Sequence, residues 1–306
     1  VTPPTGRAGR WVAVLAVLLA GLTVGWLSWL AFGSGDARQG SSASPTAALT
    51  PGAPGRSSPP APAGPGGPSE ASTAPGESPL AGLTVALDPG HNGANATAAR
   101  QVGAPVPDGR GGTKACNTTG TSTDDGYPEH AFAWDVTART AASLEALGAR
   151  VVLTRPDDEG VGPCVDVRGA FAQEAGADVL VSVHANGTED RSVRGFFVIV
   201  ADPPPVVEQD PAAREANAAA SDALAGDMVE ALAAAGFAPS PLLPDGVSRR
   251  ADLATLNLAE RPAVLLELGE MRNVEEAAVM TSDEGRQRYA DAVAAGLVAW
   301  VAGAAP

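Results

Sequence analysis

The chain has 306 residues, with 20 Lys and Arg against 35 Asp and Glu, a formal net charge of −15 and two cysteines. Only four Arg and three acids precede residue 81, so nearly all of the acidity lies beyond it. A domain so acidic is a poor partner for nucleic acid or anionic lipid, whose phosphates attract Lys and Arg.

Arg7 and Arg10 precede Trp11 to Phe32, an apolar run of 22 residues without a charge. That is close to the roughly 20 residues needed to cross a bilayer. The positive-inside rule keeps residues 1–10 cytoplasmic and sends everything after residue 32 outside. Residues 11–32 are therefore expected to be a single-pass membrane anchor. The alternative is a cleaved signal segment, which would make the protein secreted. Against it, such segments have apolar cores of about 7–15 residues, and Ser34-Gly35-Asp36-Ala37 is a mediocre cleavage site. Residues 33–80 are dominated by Pro, Gly, Ser and Ala, have no periodic pattern and cannot bury a core, so they predict a disordered linker. As a flexible coil it would span about 40 Å. Residues 81–306 predict one domain, expected to be a monomer outside the membrane.

In that domain apolar runs alternate with helical patterns. Strands are expected at Leu83–Leu87, Arg150–Thr154, Asp178–Val183, Gly195–Val200 and Pro262–Glu267. Helices are expected at Glu129–Leu147, Asp166–Ala175, Ala212–Ala235, Val274–Met280 and Asp283–Ala302. Ala133, Val136, Leu144 and Leu147 share one face of the first helix, Thr140 fills the gap, and Gly148 is a stop. Full apolar strands alternating with helices predict an α/β fold: a mainly parallel twisted sheet with helices on both faces, in three layers. Asn92 to Pro128 breaks the alternation. A loop of that length in a compact domain is usually functional, and this one is expected to wall the site. Asn95, Asn117 and Asn186 open N-x-T sequons, but a glycan at Asn186 would conflict with a site there, and all three are discounted. Cys116 and Cys164 lie beyond the export segment, so one disulfide is the simplest outcome. It would close a loop of about 48 residues and stabilise by about 4 kcal/mol on the chain-entropy account. Zinc thiolate ligation is the alternative, though no C-x-x-C spacing supports it.

Two of the three histidines stand at or just beyond the ends of apolar runs, in Asp88-Pro89-Gly90-His91-Asn92 and Ser182-Val183-His184-Ala185-Asn186. The carboxyl edge of an open α/β sheet is where sites are built, and imidazole is the commonest metal ligand among side chains. Glu129 opens the first helix after the loop that begins at His91. His91, Glu129 and His184 then form a set that leaves one coordination position open, as a catalytic zinc site requires. His130 points about 100° away from Glu129 on the helix, which makes it a surface or packing residue. Glu267 ends five apolar residues, and an unpaired buried carboxylate there is costly. Beside a zinc site it would act as general base and then as general acid.

The ordered set Asp88-Pro89-Gly90-His91, Glu129, Ser182-Val183-His184-Ala185-Asn186 and Pro262-Ala263-Val264-Leu265-Leu266-Glu267-Leu268-Gly269 with Asn273 resembles the zinc-dependent N-acetylmuramoyl-L-alanine amidases, which remodel bacterial peptidoglycan. The resemblance spans about residues 83–303. It implies one Zn²⁺ held by His91, Glu129 and His184, a catalytic Glu267, a twisted, mainly parallel sheet between helices, and peptidoglycan or muropeptides as substrate. Arg168 falls where the family carries an arginine, and a structural role is expected for it. Asn186, Glu270 and Arg272 are candidates for the substrate groove; Leu268-Gly269-Glu270-Met271-Arg272-Asn273 departs from the aromatic or polar run more common there. The chain has no recognisable wall-binding repeat, and no long insertion between Gly195 and Pro262. Two other functions stay open: a zinc peptidase acting on the stem peptide, and a non-catalytic wall-binding or regulatory domain. The second would be expected to lack a ligand or the base, and all four are present.

Overall fold

The computed structural model of the chain describes residues 78–206 and 210–304. The expected cytoplasmic segment, the anchor and nearly all of the linker lie outside the described residues. Among the described residues no helix is long and apolar enough to cross a membrane. Leu80, the last residue of the expected linker, is buried, and its N–H donates to Leu147 O at 3.0 Å.

In chain order the elements are β1 (Thr84–Pro89), α1 (Ala99–Val102), β2 (Pro105–Pro107), β3 (Thr113–Ala115), α2 (Glu129–Ala146), β4 (Arg150–Leu153), α3 (Val165–Glu174), β5 (Val179–Asn186), β6 (Phe197–Ala201), α4 (Pro211–Ala234), β7 (Val247–Arg250), α5 (Ala254–Asn257), β8 (Ala263–Glu270), α6 (Val274–Thr281) and α7 (Asp283–Ala304). The five expected helices all form, with ends shifted by at most two residues. On α2 the buried stripe is Phe132, Ala133, Val136, Thr137, Thr140 and Leu144, and the Thr140 hydroxyl is satisfied by Val136 O at 2.9 Å. Gly148, at φ +95°, supplies the left-handed residue that ends the helix. Asn273 caps α6, accepting from the N–H groups of Glu275 and Glu276.

Six strands form one sheet in the order β4-β1-β5-β8-β6-β7. The pairs β1–β4, β1–β5, β5–β8 and β6–β7 are parallel, and β6–β8 is antiparallel. The sheet is thus mainly parallel, as expected, but reverses once. From β1 the chain returns through α2 to β4 on one side, whereas from β5 it passes to β6 on the other. The crevice between β1 and β5 is the topological switch point of the sheet, where ligands of open α/β folds bind.

Side chains alternate between the two faces of a strand. Val85, Leu87, Val181, Val183, Val264 and Leu266 join the larger core beneath α2, α4 and α7. Ala86, Leu180, Ile199 and Leu265 meet a smaller core with Ala172 of α3 and Leu256 of α5. Three long helices cover the first face, and two short ones cover part of the second.

Several elements differ from expectation. β5 and β8 continue past His184 and Glu267, so both residues lie inside strands and not at their ends. A bulge makes this possible: His184 pairs with Glu267, but Asn186 pairs with Glu270, so two steps on β5 match three on β8. The bulge shifts the phase of β8 by one residue and turns Glu270 towards Asn186. β7, which sequence periodicity misses, is an edge strand, and the 92–128 loop contains the β2–β3 hairpin.

Candidate metal centre

His91, just past β1, gathers with His184 and Glu267, which lie in the carboxyl-terminal halves of β5 and β8. Asp88, Ser182, His184 and Glu267 all belong to the face with the smaller core, by the parity of Ala86, Leu180 and Leu265. His91 follows β1 in the left-handed region at φ +57°, the one non-glycine residue with positive φ among the described residues. Such backbone costs of order 1–3 kcal/mol and persists only where its surroundings impose it. Gly90 is needed for a different reason. A Cβ there would stand 2.4 Å from Cε1 of His184, so only glycine lets the turn approach that ring.

The ligand atoms of His91, Glu129 and His184 lie within 4.8 Å of one another. Glu129 Oε1 is 3.0 Å from His91 Nε2 and 2.9 Å from His184 Nδ1, and the two rings meet edge to face with centroids 4.8 Å apart. His91 Nδ1 is 3.1 Å from Thr118 O, which can only accept, so Nδ1 has a partner for its proton while Nε2 faces the Glu129 carboxylate. Thr118 O is itself fixed by Asn95 Nδ2 at 2.7 Å. Glu129 also accepts from the N–H of Thr121 at 2.9 Å and of Ala185 at 3.2 Å. Burial works against the charged forms of both Glu129 and His91. The imidazoles outweigh it and hold the Glu129 carboxyl well below the usual range, while Glu129 likewise raises His91. Two imidazoles and a carboxylate this close are a donor set suited to a divalent transition metal.

Glu267 lines the same cleft of about 410 Å³, between the Lys114–Thr121 stretch of the long loop and the Leu253–Thr255 segment. Its Oε2 is buried with no hydrogen-bond partner among the described residues. Withdrawal from water, with the charges of Glu129 and Glu270 nearby, pushes its carboxyl well above the ordinary value; Arg250 opposes this. Asn186 lines the cleft, but Glu270 and Arg272 do not. Glu270 is buried and accepts from Asn186 Nδ2 at 2.6 Å and Thr188 N at 3.0 Å. Arg272 donates to Asp124 at 2.8 Å and ties the long loop to the segment after β8. His130 faces Asp158 at 2.8 Å and takes no part in the cluster.

Cys116 and Cys164 are joined, with S–S 2.14 Å and Cα–Cα 4.5 Å, which pins the long loop to the N-terminus of α3. Beneath the turn, Asp88 accepts from Arg168 at 2.6 Å, Thr154 Oγ1 at 2.6 Å and Ser182 Oγ at 2.6 Å. Burial would raise its carboxyl, but Arg168 and the two hydroxyls hold it low. Sequence reasoning assigned no role to Asp88, Arg155 or Ser182. A carboxylate ending the apolar run Val85–Leu87 is the same signal that singled out Glu267, and it would have found Asp88.

A three-layer α/β domain with a His, Glu, His cluster at its switch point defines a candidate metal-dependent enzyme class. The family described as N-acetylmuramoyl-L-alanine amidase matches residues 85–299. An N-acetylmuramoyl-L-alanine amidase of Mycobacterium tuberculosis is 43% identical over 225 residues, 73% of this chain and 88% of that protein. The crystal structure of the amidase Ami1 from Mycobacterium smegmatis is 45% identical, covers 73% of this chain and 99% of its own, and superposes with a TM-score of 0.67. The apo form of Ami1 from Mycobacterium abscessus gives 44% identity, 72% and 99% coverage and a TM-score of 0.64. The chain belongs to the N-acetylmuramoyl-L-alanine amidase family.

Proposed function

We propose that the chain is a zinc-dependent hydrolase of the amide bond between N-acetylmuramic acid and L-alanine in peptidoglycan, acting in wall remodelling or turnover. The observation that carries this is the convergence of His91, Glu129 and His184 on one point, across the cleft that Glu267 lines. The donor set fits zinc, and the Thr118 contact leaves His91 Nε2 free to ligate. When bound, zinc supplies Lewis acidity to the scissile carbonyl and acidifies water. The protein's own residues do the rest. Glu129 is held ionised by the two imidazoles, and its backbone contacts with Thr121 and Ala185 fix its orientation. Glu267 accepts the proton of the attacking water on a carboxylate whose raised pKa suits the transfer, then returns it to the leaving amine. Asn186, on the cleft wall, is a candidate to orient the substrate.

Residues 11–32 act in this proposal as a membrane anchor and residues 33–80 as a tether, so that a monomeric catalytic domain works just outside the membrane. Support comes from the 22 uncharged residues after Arg7 and Arg10. Fractionation of cells tests the anchor: recovery of the full-length chain in the membrane supports it, and a shortened chain in the medium indicates a cleaved segment. Digestion of defined muropeptides by the zinc-loaded protein, read by mass spectrometry, tests the activity. The amidase yields a free stem peptide and a peptide-free muramyl product. A shortened stem still attached to the sugar would point to a stem-peptide peptidase, and binding without any product to a non-catalytic domain.

A further inference from the structure

Two buried arginines hold the turn that carries His91. Each uses all five of its N–H donors, which is the full capacity of a guanidinium. Arg168, on α3, donates from Nε to Pro163 O, from Nη1 to Asp88 Oδ1 and Pro89 O, and from Nη2 to His91 O and Asn92 Oδ1, at 2.5–3.0 Å. Arg155, after β4, donates from Nε to Pro89 O, from Nη1 to Asp157 O and Asp158 Oδ1, and from Nη2 to Gly90 O and His130 O, at 2.7–3.3 Å. Three consecutive carbonyls, those of Pro89, Gly90 and His91, are therefore clamped just where the backbone enters the left-handed region.

We infer that Arg168 and Arg155 are positioning residues for the metal centre: together they impose the φ +57° backbone of His91 and so set the affinity of the site for zinc. This rests on the zinc proposal above. The physical case is one of shape. A left-handed histidine is unfavourable in isolation, and an aligned set of donors on its own carbonyl and on the two before it supplies the constraint. Arg155 also spans two ligands, because His130 O belongs to the first turn of α2, next to Glu129. Arg168 spans a third part of the site: Pro163 O precedes Cys164, whose disulfide partner Cys116 lies two residues before the Thr118 carbonyl that His91 meets. A lysine cannot replace either residue, since one ammonium has three donors and no planar fork.

The test measures zinc affinity by chelator competition, together with melting temperature, for wild type, Arg168→Lys and Arg155→Lys. Leu224→Ala, in the larger core, serves as a destabilised control. The expected result is one zinc per wild-type chain and a loss of affinity of about 10–100-fold in each lysine variant, the usual range for partners that orient a metal ligand. Leu224→Ala should melt earlier yet bind zinc like wild type. A merely structural role predicts lower melting temperatures with wild-type zinc affinity in the folded lysine variants, and that outcome would overturn the inference. Should neither lysine variant fold, Asn92→Ala removes one acceptor of the fork and leaves both guanidiniums in place. A loss of affinity there, smaller but in the same direction, supports the clamp, and an unchanged affinity rejects it. A wild-type chain that binds no zinc would instead defeat the zinc proposal itself.

Discussion

On the face beneath α2, α4 and α7, the central strands present Val85, Leu87, Val181, Val183, Val264 and Leu266, all fully buried among apolar neighbours. One residue out of phase, the same strands present Asp88, Ser182, His184 and Glu267 to a face with a small core and a long loop for cover. The first face gains from every methylene it removes from water. The second contains two carboxylates whose burial is unfavourable on its own. They are treated in opposite ways: Asp88 is ringed by Arg168, Thr154 and Ser182, whereas Glu267 keeps an oxygen with no partner. A sheet with period-2 alternation can thus devote one face to stability and the other to chemistry, with the β5–β8 ladder between them regular up to the bulge after His184.

That division is open to a direct attack, and its largest expected effect is on turnover. Glu267→Gln keeps the shape of the side chain but cannot take up a proton at neutral pH. It should lose about 10²–10⁴-fold in kcat, the usual contribution of a general acid–base group, while retaining one zinc per chain. Release of peptide from a muropeptide within a few-fold of wild type, at unchanged zinc content, would remove Glu267 from the chemistry.

Next in size come two stability effects with different consequences for the site. Reducing the Cys116–Cys164 bond should cost about 4 kcal/mol on the chain-entropy account of a 48-residue separation. Because Cys116 lies two residues before Thr118, reduction should weaken zinc binding as well. Leu224→Ala, buried in the opposite core, should cost about 2–5 kcal/mol and leave zinc affinity and turnover of the folded protein intact. Denaturant unfolding paired with zinc titration checks both; equal effects on zinc from the two changes would erase the distinction between the faces.

The contrast also accounts for what was legible in the sequence. The stripe of α2 and the apolar runs of β1, β5 and β8 record burial directly, so those elements could be placed from the sequence, although β5 and β8 extend beyond their runs. Histidines at or just beyond the ends of apolar runs, a glutamate opening a helix and another closing an apolar run pointed to His91, His184, Glu129 and Glu267 of the cleft. The strand Val247–Arg250 reads Val-Ser-Arg-Arg, without the apolar run of a fully covered strand, because it pairs on one side only. The antiparallel pairing of β6 with β8 and the bulge after His184 are held by backbone groups, which every residue carries alike, and the two arginines on residues 89–91 meet main-chain carbonyls, which carry no sequence signal either. Arg272 shows the converse: a charge near the motif suggested the groove, yet its partner Asp124 lies on the long loop, 148 residues away in sequence.

The smallest expected effect is a pH dependence that separates the two buried carboxylates of the site face. It is measured on protein stripped of metal, so that only the protein's own charges act. The Glu267 carboxyl is raised above its ordinary value of 4.5, chiefly by burial. Between the unfolded and folded values, the folded chain holds a proton that the unfolded chain has released, so stability falls as pH rises through that window. Glu267→Gln lacks this fall. Its melting temperature should therefore pull ahead of wild type as pH rises from about 4.5, with the gap constant once the folded carboxyl has ionised. Asp88, lowered from 3.8 because its partners outweigh burial, has the opposite sign. Its contribution is complete above the unfolded value and is lost as pH falls through the folded one. Asp88→Asn should accordingly be least stable relative to wild type at neutral pH and converge with it in acid. Melting curves for the three proteins between pH 3 and 8 decide the matter: a gap for Glu267→Gln that stays flat across the range would mean that burial does not hold that proton, and the contrast between the two carboxylates would fail.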